Sequence, residues 1–104
     1  MSNGIAGFGL LGASPFEWTD EEKKIIAWNN VLPIPGKTYK VDCDGLYIVW
    51  EEYGKRSDYG WQIDHAVPEV FGGLSTITNL RARHWRGNSR AGGYAGALAK
   101  FLGQ

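Results

Sequence analysis

Residues 59–92 include side chains that could do chemistry together, among them a carboxylate, an imidazole, two carboxamides and several guanidiniums. The carboxylate and the imidazole are neighbours, Asp64 and His65, and the carboxamides follow at Asn79 and Asn88. Carboxylate and amide oxygens are hard ligands, which suit an ion such as Mg²⁺ that keeps most of its waters. A neutral imidazole can take a proton from water near neutral pH, and guanidiniums hold phosphate oxygens. Together these groups are the parts of a phosphodiester hydrolase that uses one metal ion.

Two strands and a helix are predicted to carry these groups. Aromatic and β-branched residues alternate with smaller or polar ones over residues 59–63, which predicts a strand ending near the Asp-His pair. Pro68 has no N–H to donate to a ladder, so a loop follows. A second short strand is predicted to open at Asn79-Leu80, and Asn88 is predicted to lie where a helix begins. Neighbouring strand residues point to opposite faces, so the first strand must bend or end if both members of the Asp-His pair are to face one ion.

A helix is predicted before this stretch. Thr19 followed three residues later by Glu22 has the spacing of a capping box. We expect the helix to bury Ile25 and Ile26 and to end before Pro33.

The segments that flank the central stretch carry weaker signals. Residues 37–41 predict a short strand, and residues 42–45 predict a turn, although its two aspartates could also form a cation site. Residues 46–54 fit either a strand or a short helix. The glycine pair at 92–93 is expected to break the helix that starts near position 88, so that a separate short helix covers residues 94–102.

Composition indicates one small domain of 104 residues with an uneven charge distribution. The formal net charge is zero, but residues 71–104 carry no acidic side chain and five basic ones, whereas residues 1–70 carry a net charge of −5. Such polarity suggests that one face binds a polyanion; the alternative is a solvated surface whose charges happen to segregate. A single cysteine, Cys43, excludes an internal disulfide and a cysteine zinc cage.

Residues 1–16 are apolar, uncharged up to Phe16 and rich in glycine, which predicts a flexible arm that packs on the domain or a partner, or else a disordered tail. They lack the basic region of a signal peptide. No stretch approaches the roughly 20 apolar residues that span a bilayer. We therefore expect a cytoplasmic protein without a membrane partner.

The central stretch resembles the HNH endonucleases. The match consists of five elements in the family's order and spacing, and with its weaker upstream part it covers about half of the chain. The resemblance implies an α+β fold, a small single domain built around a ββα-metal (His-Me finger) motif with flanking helices. The nuclease domain would span residues 17–104, with the core motif at 59–92. The five elements are Asp64-His65, Pro68, Gly72-Gly73, Asn79-Leu80 and Asn88.

The resemblance also implies roles for the four motif residues. His65 would be the general base, and Asn79 would brace the loop and orient that base. Asp64 and Asn88 would be the protein ligands of one divalent ion, Mg²⁺ or Mn²⁺ before other transition metals. Three of them also have a structural explanation: His65 as a turn histidine, Asp64 as a turn-capping carboxylate and Asn88 as a helix N-cap.

Zinc cysteines, which many HNH members carry, are absent, so no structural zinc is expected. This chain has His84 and Gly87 in that region, as in a cysteine-free branch of the family. His84 could be a third ligand or could contact the leaving group, but a packed structural histidine is the more common arrangement. The basic side chains expected to bind nucleic-acid phosphates are Arg90, Arg86, Arg83, Arg81 and Arg56.

The resemblance therefore predicts an endonuclease that hydrolyses DNA. One site would nick one strand of double-stranded DNA and leave 5′-phosphate and 3′-hydroxyl ends. No sequence-reading module is evident, so we expect low sequence specificity or targeting by a partner protein, from a monomer or weak dimer. The alternatives are a nucleic-acid-binding ββα module without catalysis and an RNA-cleaving, toxin-like nuclease. A purely structural role would leave the basic C-terminal third unexplained.

Overall fold

Helix α1 spans Asp20–Asn29 and begins with the predicted capping box. The computed structural model describes residues 17–103, so the predicted arm over residues 1–16 lies outside the described residues. The backbone N–H of Glu22 donates to Thr19 Oγ1 at 3.1 Å, and the N–H of Thr19 donates to Glu22 Oε1 at 2.8 Å. These reciprocal bonds satisfy two N–H groups that the helix itself cannot pair. The buried residue of α1 is Ala27, whereas Ile25, which was predicted to be buried, is 44% exposed.

Strands β1, Lys40–Val41, and β2, Tyr47–Ile48, form a small antiparallel sheet. Only the end of the predicted strand over residues 37–41 pairs. The predicted turn joins the two strands, because Asp42 Oδ1 accepts hydrogen bonds at 2.9 Å from the backbone N–H groups of Asp44 and Leu46. A carboxylate that accepts bonds from the following backbone in this way stabilises the turn.

A 3₁₀ helix, Trp50–Glu52, follows β2 directly. The two alternatives for residues 46–54 therefore each describe part of that segment, a strand first and a helical turn after it. Gly54 then adopts φ +78°, a left-handed conformation that glycine tolerates without a Cβ penalty.

Strands β3, Trp61–His65, and β4, Leu80–His84, form the second antiparallel pair. The register places Asp64 opposite Arg81 and His65 opposite Leu80. Their connection contains a 3₁₀ helix, Glu69–Phe71, and a turn over residues 77–79 directly before β4.

Helix α2 spans Trp85–Leu102 without interruption. It begins three residues before Asn88, and its N-cap is His84, whose side chain accepts from the N–H of Arg86. The predicted break at Gly92-Gly93 is wrong. Each glycine lowers helix stability by only about 1 kcal/mol relative to alanine, and Ala95, 8% exposed, is packed in the segment that follows.

The core lies between α1 and the β3–β4 hairpin. Lys40 supports it from β1: its Nζ donates to the carbonyls of Trp28 and Val31, both at 2.8 Å, at the end of α1. This places a cation where the helix has no basic residue in its own last turn, and burial lowers the pKa of Lys40. The core residues are Ala27, Ile48, Trp61, Leu80 and Ala82.

Two helices and two small antiparallel sheets make the fold α+β, as the sequence predicts. Within residues 17–103 there is no helix with both the length and the apolar character needed to cross a bilayer.

Candidate functional site

A cleft of about 270 Å³ lies where the end of β3 meets the 3₁₀ helix Glu69–Phe71 and α2. Three of the four motif residues border it. Asp64 and His65 reach it from β3, and Asn88 reaches it from the first turns of α2. The residues bordering the cleft include Asp64, His65, Pro68, Glu69, Asn88 and Gly92.

The end of β3 explains how two adjacent residues border one cleft. In a continuing strand the side chains of Asp64 and His65 would point to opposite faces. His65 is the last residue of β3, and the chain turns away toward Pro68 immediately after it. Strand β3 therefore ends at the Asp-His pair, as the sequence predicted.

Asp64 is held by two arginines on the neighbouring strand. Its Oδ2 accepts a hydrogen bond from Arg81 Nε at 2.8 Å, and Arg83 Nη1 lies 3.4 Å from the same oxygen. The side chain of Asp64 is 13% exposed. Because both arginines use Oδ2, Oδ1 is the oxygen left for another partner.

His65 lies beside two polar groups that the sequence did not single out. Its Nε2 is 2.9 Å from Ser75 Oγ and 3.7 Å from Glu69 Oε2. When Nε2 carries the imidazole proton it donates to Ser75, and Nδ1 is then the nitrogen able to accept a proton. The sequence pattern did not identify Ser75 or Glu69 as neighbours of His65. Both lie in the loop between the strands, where no regular spacing of residues indicates which side chains meet.

Asn79 does not border the cleft; it ties together the loop that forms one wall. Its Oδ1 accepts from the N–H of Val67 at 2.8 Å. Its Nδ2 donates to the carbonyls of Val67 at 3.2 Å and Leu74 at 2.8 Å. The three bonds join the two ends of the segment that contains Pro68 and Glu69.

Asn88 is fixed by a side chain from β3. Its Nδ2 donates to Gln62 Oε1 at 2.7 Å. The amide nitrogen is thereby engaged, and Oδ1 is the atom left to meet a ligand. Gln62 is a further residue that the sequence did not identify, since glutamine in a strand carries no distinctive signal.

His84 is packed inside the domain and is 2% exposed. Its Nδ1 accepts from the N–H of Arg86 at 3.1 Å, and its Nε2 lies 2.7 Å from the carbonyl oxygen of Asp58. These partners require a neutral ring with the proton on Nε2, and they engage both nitrogens. His84 is therefore packed as a structural histidine, and it does not border the cleft.

The five predicted phosphate-binding arginines fall into two groups. Arg81 and Arg83 are engaged within the protein, since Arg83 also makes a two-pronged pair with Asp44 through Nε at 2.8 Å and Nη2 at 3.0 Å. The hydrogen bond from Arg83 lowers the pKa of Asp44, and the same bond raises the pKa of Arg83. Across residues 17–103, no carboxylate forms an ion pair with the exposed Arg56, Arg86 or Arg90.

Gly87 makes room for the Asp44–Arg83 pair. A Cβ built at this position would collide with the carboxylate of Asp44 and would lie 3.4 Å from Arg83 Nε. The absence of a side chain at position 87 therefore permits α2 to approach the β1–β2 turn closely.

The donor set of the cleft fits a hydrated hard cation better than a closed metal cage. No group of three or more His, Cys, Asp and Glu side chains within residues 17–103 is arranged to hold a metal. Asp64 Oδ1 and Asn88 Oδ1 are two oxygen donors, a number that suits an ion keeping several waters. The charge of Arg81 opposes a cation, whereas Asp44 offsets Arg83 and Glu69 adds a negative charge at the rim.

Comparisons of this chain with protein-family models, with curated proteins and with solved structures find no match.

Proposed function

We propose that this protein is a metal-dependent endonuclease of the HNH type that hydrolyses phosphodiester bonds in DNA. The observation that carries the proposal is the cleft in which Asp64, His65 and Asn88 meet, although the last two are 23 positions apart in the sequence. An imidazole that borders the same cleft as two hard oxygen donors is suited to water attack on a phosphodiester.

Asp64 Oδ1 and Asn88 Oδ1 are the atoms that would hold one Mg²⁺ or Mn²⁺ ion. When bound, that ion would supply positive charge to the phosphoryl oxygens and the leaving oxygen. The protein's own part is to place an imidazole next to the phosphate and to keep Asn88 oriented through Gln62.

His65 takes the proton of the attacking water. The water oxygen forms a bond to phosphorus as the bond from phosphorus to the 3′-oxygen breaks, and solvent protonates that oxygen. The products are a 5′-phosphate and a 3′-hydroxyl, and the proton held by His65 returns to solvent. One cleft cuts one strand in each event, so nicking of duplex DNA is the elementary reaction.

A nucleic-acid-binding module without catalysis is the second candidate, and one observation favours it. Asp64 already has two arginine partners, an arrangement that a purely structural ion pair would also have. A metal ion must share or displace those partners, and a protein that only binds DNA has no need to do so.

Plasmid nicking separates these functions. Supercoiled DNA is incubated with wild type, His65→Ala, Asn88→Ala and Asn29→Ala, each with Mg²⁺, Mn²⁺ or EDTA. Asn29→Ala is the matched control because it truncates an exposed amide on α1.

Metal-dependent conversion to open circles that both site variants lose and the control keeps is the expected result. Equal nicking by wild type and His65→Ala would reject the proposed base. Binding without cleavage under every metal condition would favour the non-catalytic module. Cleavage of labelled RNA but not of DNA would favour the RNA-cleaving alternative.

A further inference from the structure

Trp85, the first residue of α2, carries two guanidiniums over its indole ring. The Cζ of Arg86 lies 5.0 Å from the ring centroid and that of Arg56 lies 5.4 Å from it. Arg86 comes from the same helix turn, whereas Arg56 comes from the loop before β3. Both distances are within the range of cation–π attraction. The indole thus draws together two arginines from separate parts of the chain.

The indole is itself held in place. Its Nε1 donates to the carbonyl of Ser57 at 2.7 Å, and the backbone N–H of Trp85 donates to Gly60 at 3.2 Å. The ring of His84 stacks on it at 5.8 Å between centroids and 27° between planes. A ring with these contacts cannot turn without breaking them, so it provides a fixed support for both guanidiniums.

A cation–π contact does not require the N–H donors of the arginines. The N–H groups of a guanidinium form a fork that matches phosphate. Arg56 and Arg86 are exposed, and within residues 17–103 neither forms an ion pair. Arg81 and Arg83 differ because their donors already contact carboxylates.

We propose that Arg56 and Arg86, supported by Trp85, form a clamp for the sugar-phosphate backbone of a nucleic acid. The clamp rests on the proposed function in taking DNA as the polyanion. Arg86 and Asn88 are two residues apart on α2, which is about 200° around the helix axis, so their side chains do not share a face. The clamp therefore holds phosphates outside the cleft, and it contributes to binding without touching the reacting atoms.

Binding measured without metal tests the clamp apart from catalysis. A fluorescein-labelled duplex is titrated with protein in EDTA over a series of salt concentrations, and the logarithm of the binding constant is plotted against that of salt. Each lost phosphate contact reduces the steepness of this plot by about 0.9. We expect Arg56→Gln and Arg86→Gln each to reduce it by about that amount, and the double variant by about 1.8.

Three further variants identify the cause. Lys37→Gln removes one exposed positive charge from the turn before β1 and should leave the slope unchanged. Trp85→Phe keeps an aromatic face and should bind nearly as wild type, whereas Trp85→Leu should weaken binding about as much as loss of both arginines. The exposed arginine variants keep the test valid if the leucine variant fails to fold.

A wild-type slope in the double arginine variant would overturn the clamp, and so would an equal reduction in Lys37→Gln, because only net charge would then matter. Failure of the proposed function has a different signature. A protein whose slope follows the clamp residues but which nicks no DNA keeps the clamp and loses the nuclease. If the wild-type protein nicks DNA but the double arginine variant binds with the wild-type slope, the nuclease is supported and the clamp is rejected.

Discussion

Replacing Asn79 with alanine should release the loop that forms one wall of the cleft. The side chain supplies three hydrogen bonds, one to the N–H of Val67 and two to the carbonyls of Val67 and Leu74. The backbone carbonyl of Asn79 accepts separately from Ala66 at 2.9 Å, and this bond does not depend on the side chain. The β3–β4 pairing should therefore survive while the loop opens.

The size of the effect follows from the number of bonds. A protein hydrogen bond contributes about 1 kcal/mol net, and the freed groups in this loop regain water because they lie near the surface. We expect the free energy of loop opening to fall by about 2 kcal/mol, which is roughly a thirtyfold increase in the open population. Asn79→Asp should lose at least as much, because it keeps one acceptor but faces two carbonyls with a negative charge.

Hydrogen exchange at the Val67 amide measures this opening directly. Its exchange should accelerate about thirtyfold in Asn79→Ala, whereas amides in the middle of β4 should change less. Thr78→Ala truncates an exposed neighbouring side chain and is the matched control. Unchanged protection of Val67, or an equal acceleration in the control, would refute the role of Asn79 in holding the loop.

Two further predictions concern the site and its support. Ser75→Ala removes the partner of His65 Nε2, so the nicking rate should fall about tenfold while the affinity for DNA stays unchanged. Ser75→Thr keeps a hydroxyl and should retain the rate. Equal nicking rates in wild type and the alanine variant would show that His65 is oriented without Ser75. The hydrogen bond from Arg83 lowers the pKa of Asp44 below its ordinary 3.8, so the unfolded chain binds the proton more readily. The stabilisation is therefore complete above about pH 5 and is lost as pH falls through the folded pKa. Urea midpoints of wild type and Asp44→Asn should converge as the pH falls through the folded pKa of Asp44, and a gap that persists once Asp44 is protonated in both states would contradict the assignment.

Local signals in the sequence predicted some elements well. The capping box at Thr19 marks the start of α1 because its bonds form within one turn. Aromatic and β-branched alternation predicts β3, and the end of that strand falls at His65. The resemblance also selected three residues that meet in one cleft, although no single local pattern contains all of them.

Features that depend on distant contacts were not predictable. The Gly92-Gly93 pair lowers helix propensity, but the continuous hydrogen bonding and packing of α2 outweigh it. The division of the arginines depends on Asp44, which reaches Arg83 from another sheet across 39 positions of sequence. Ser75 and Glu69 meet His65 only because the loop folds back over the end of β3.

The Asp44–Arg83 pair also constrains how this surface can change in evolution. Gly87 cannot gain a side chain while the Asp44 carboxylate occupies the space its Cβ would need. Loss of Asp44 first would open that space, but it would leave Arg83 with Asp64 as its remaining carboxylate partner. Substitutions at the two positions are therefore coupled in order as well as in effect. A larger residue at position 87 therefore requires the Asp44 carboxylate to move or to be lost, and either change redistributes charge beside the cleft.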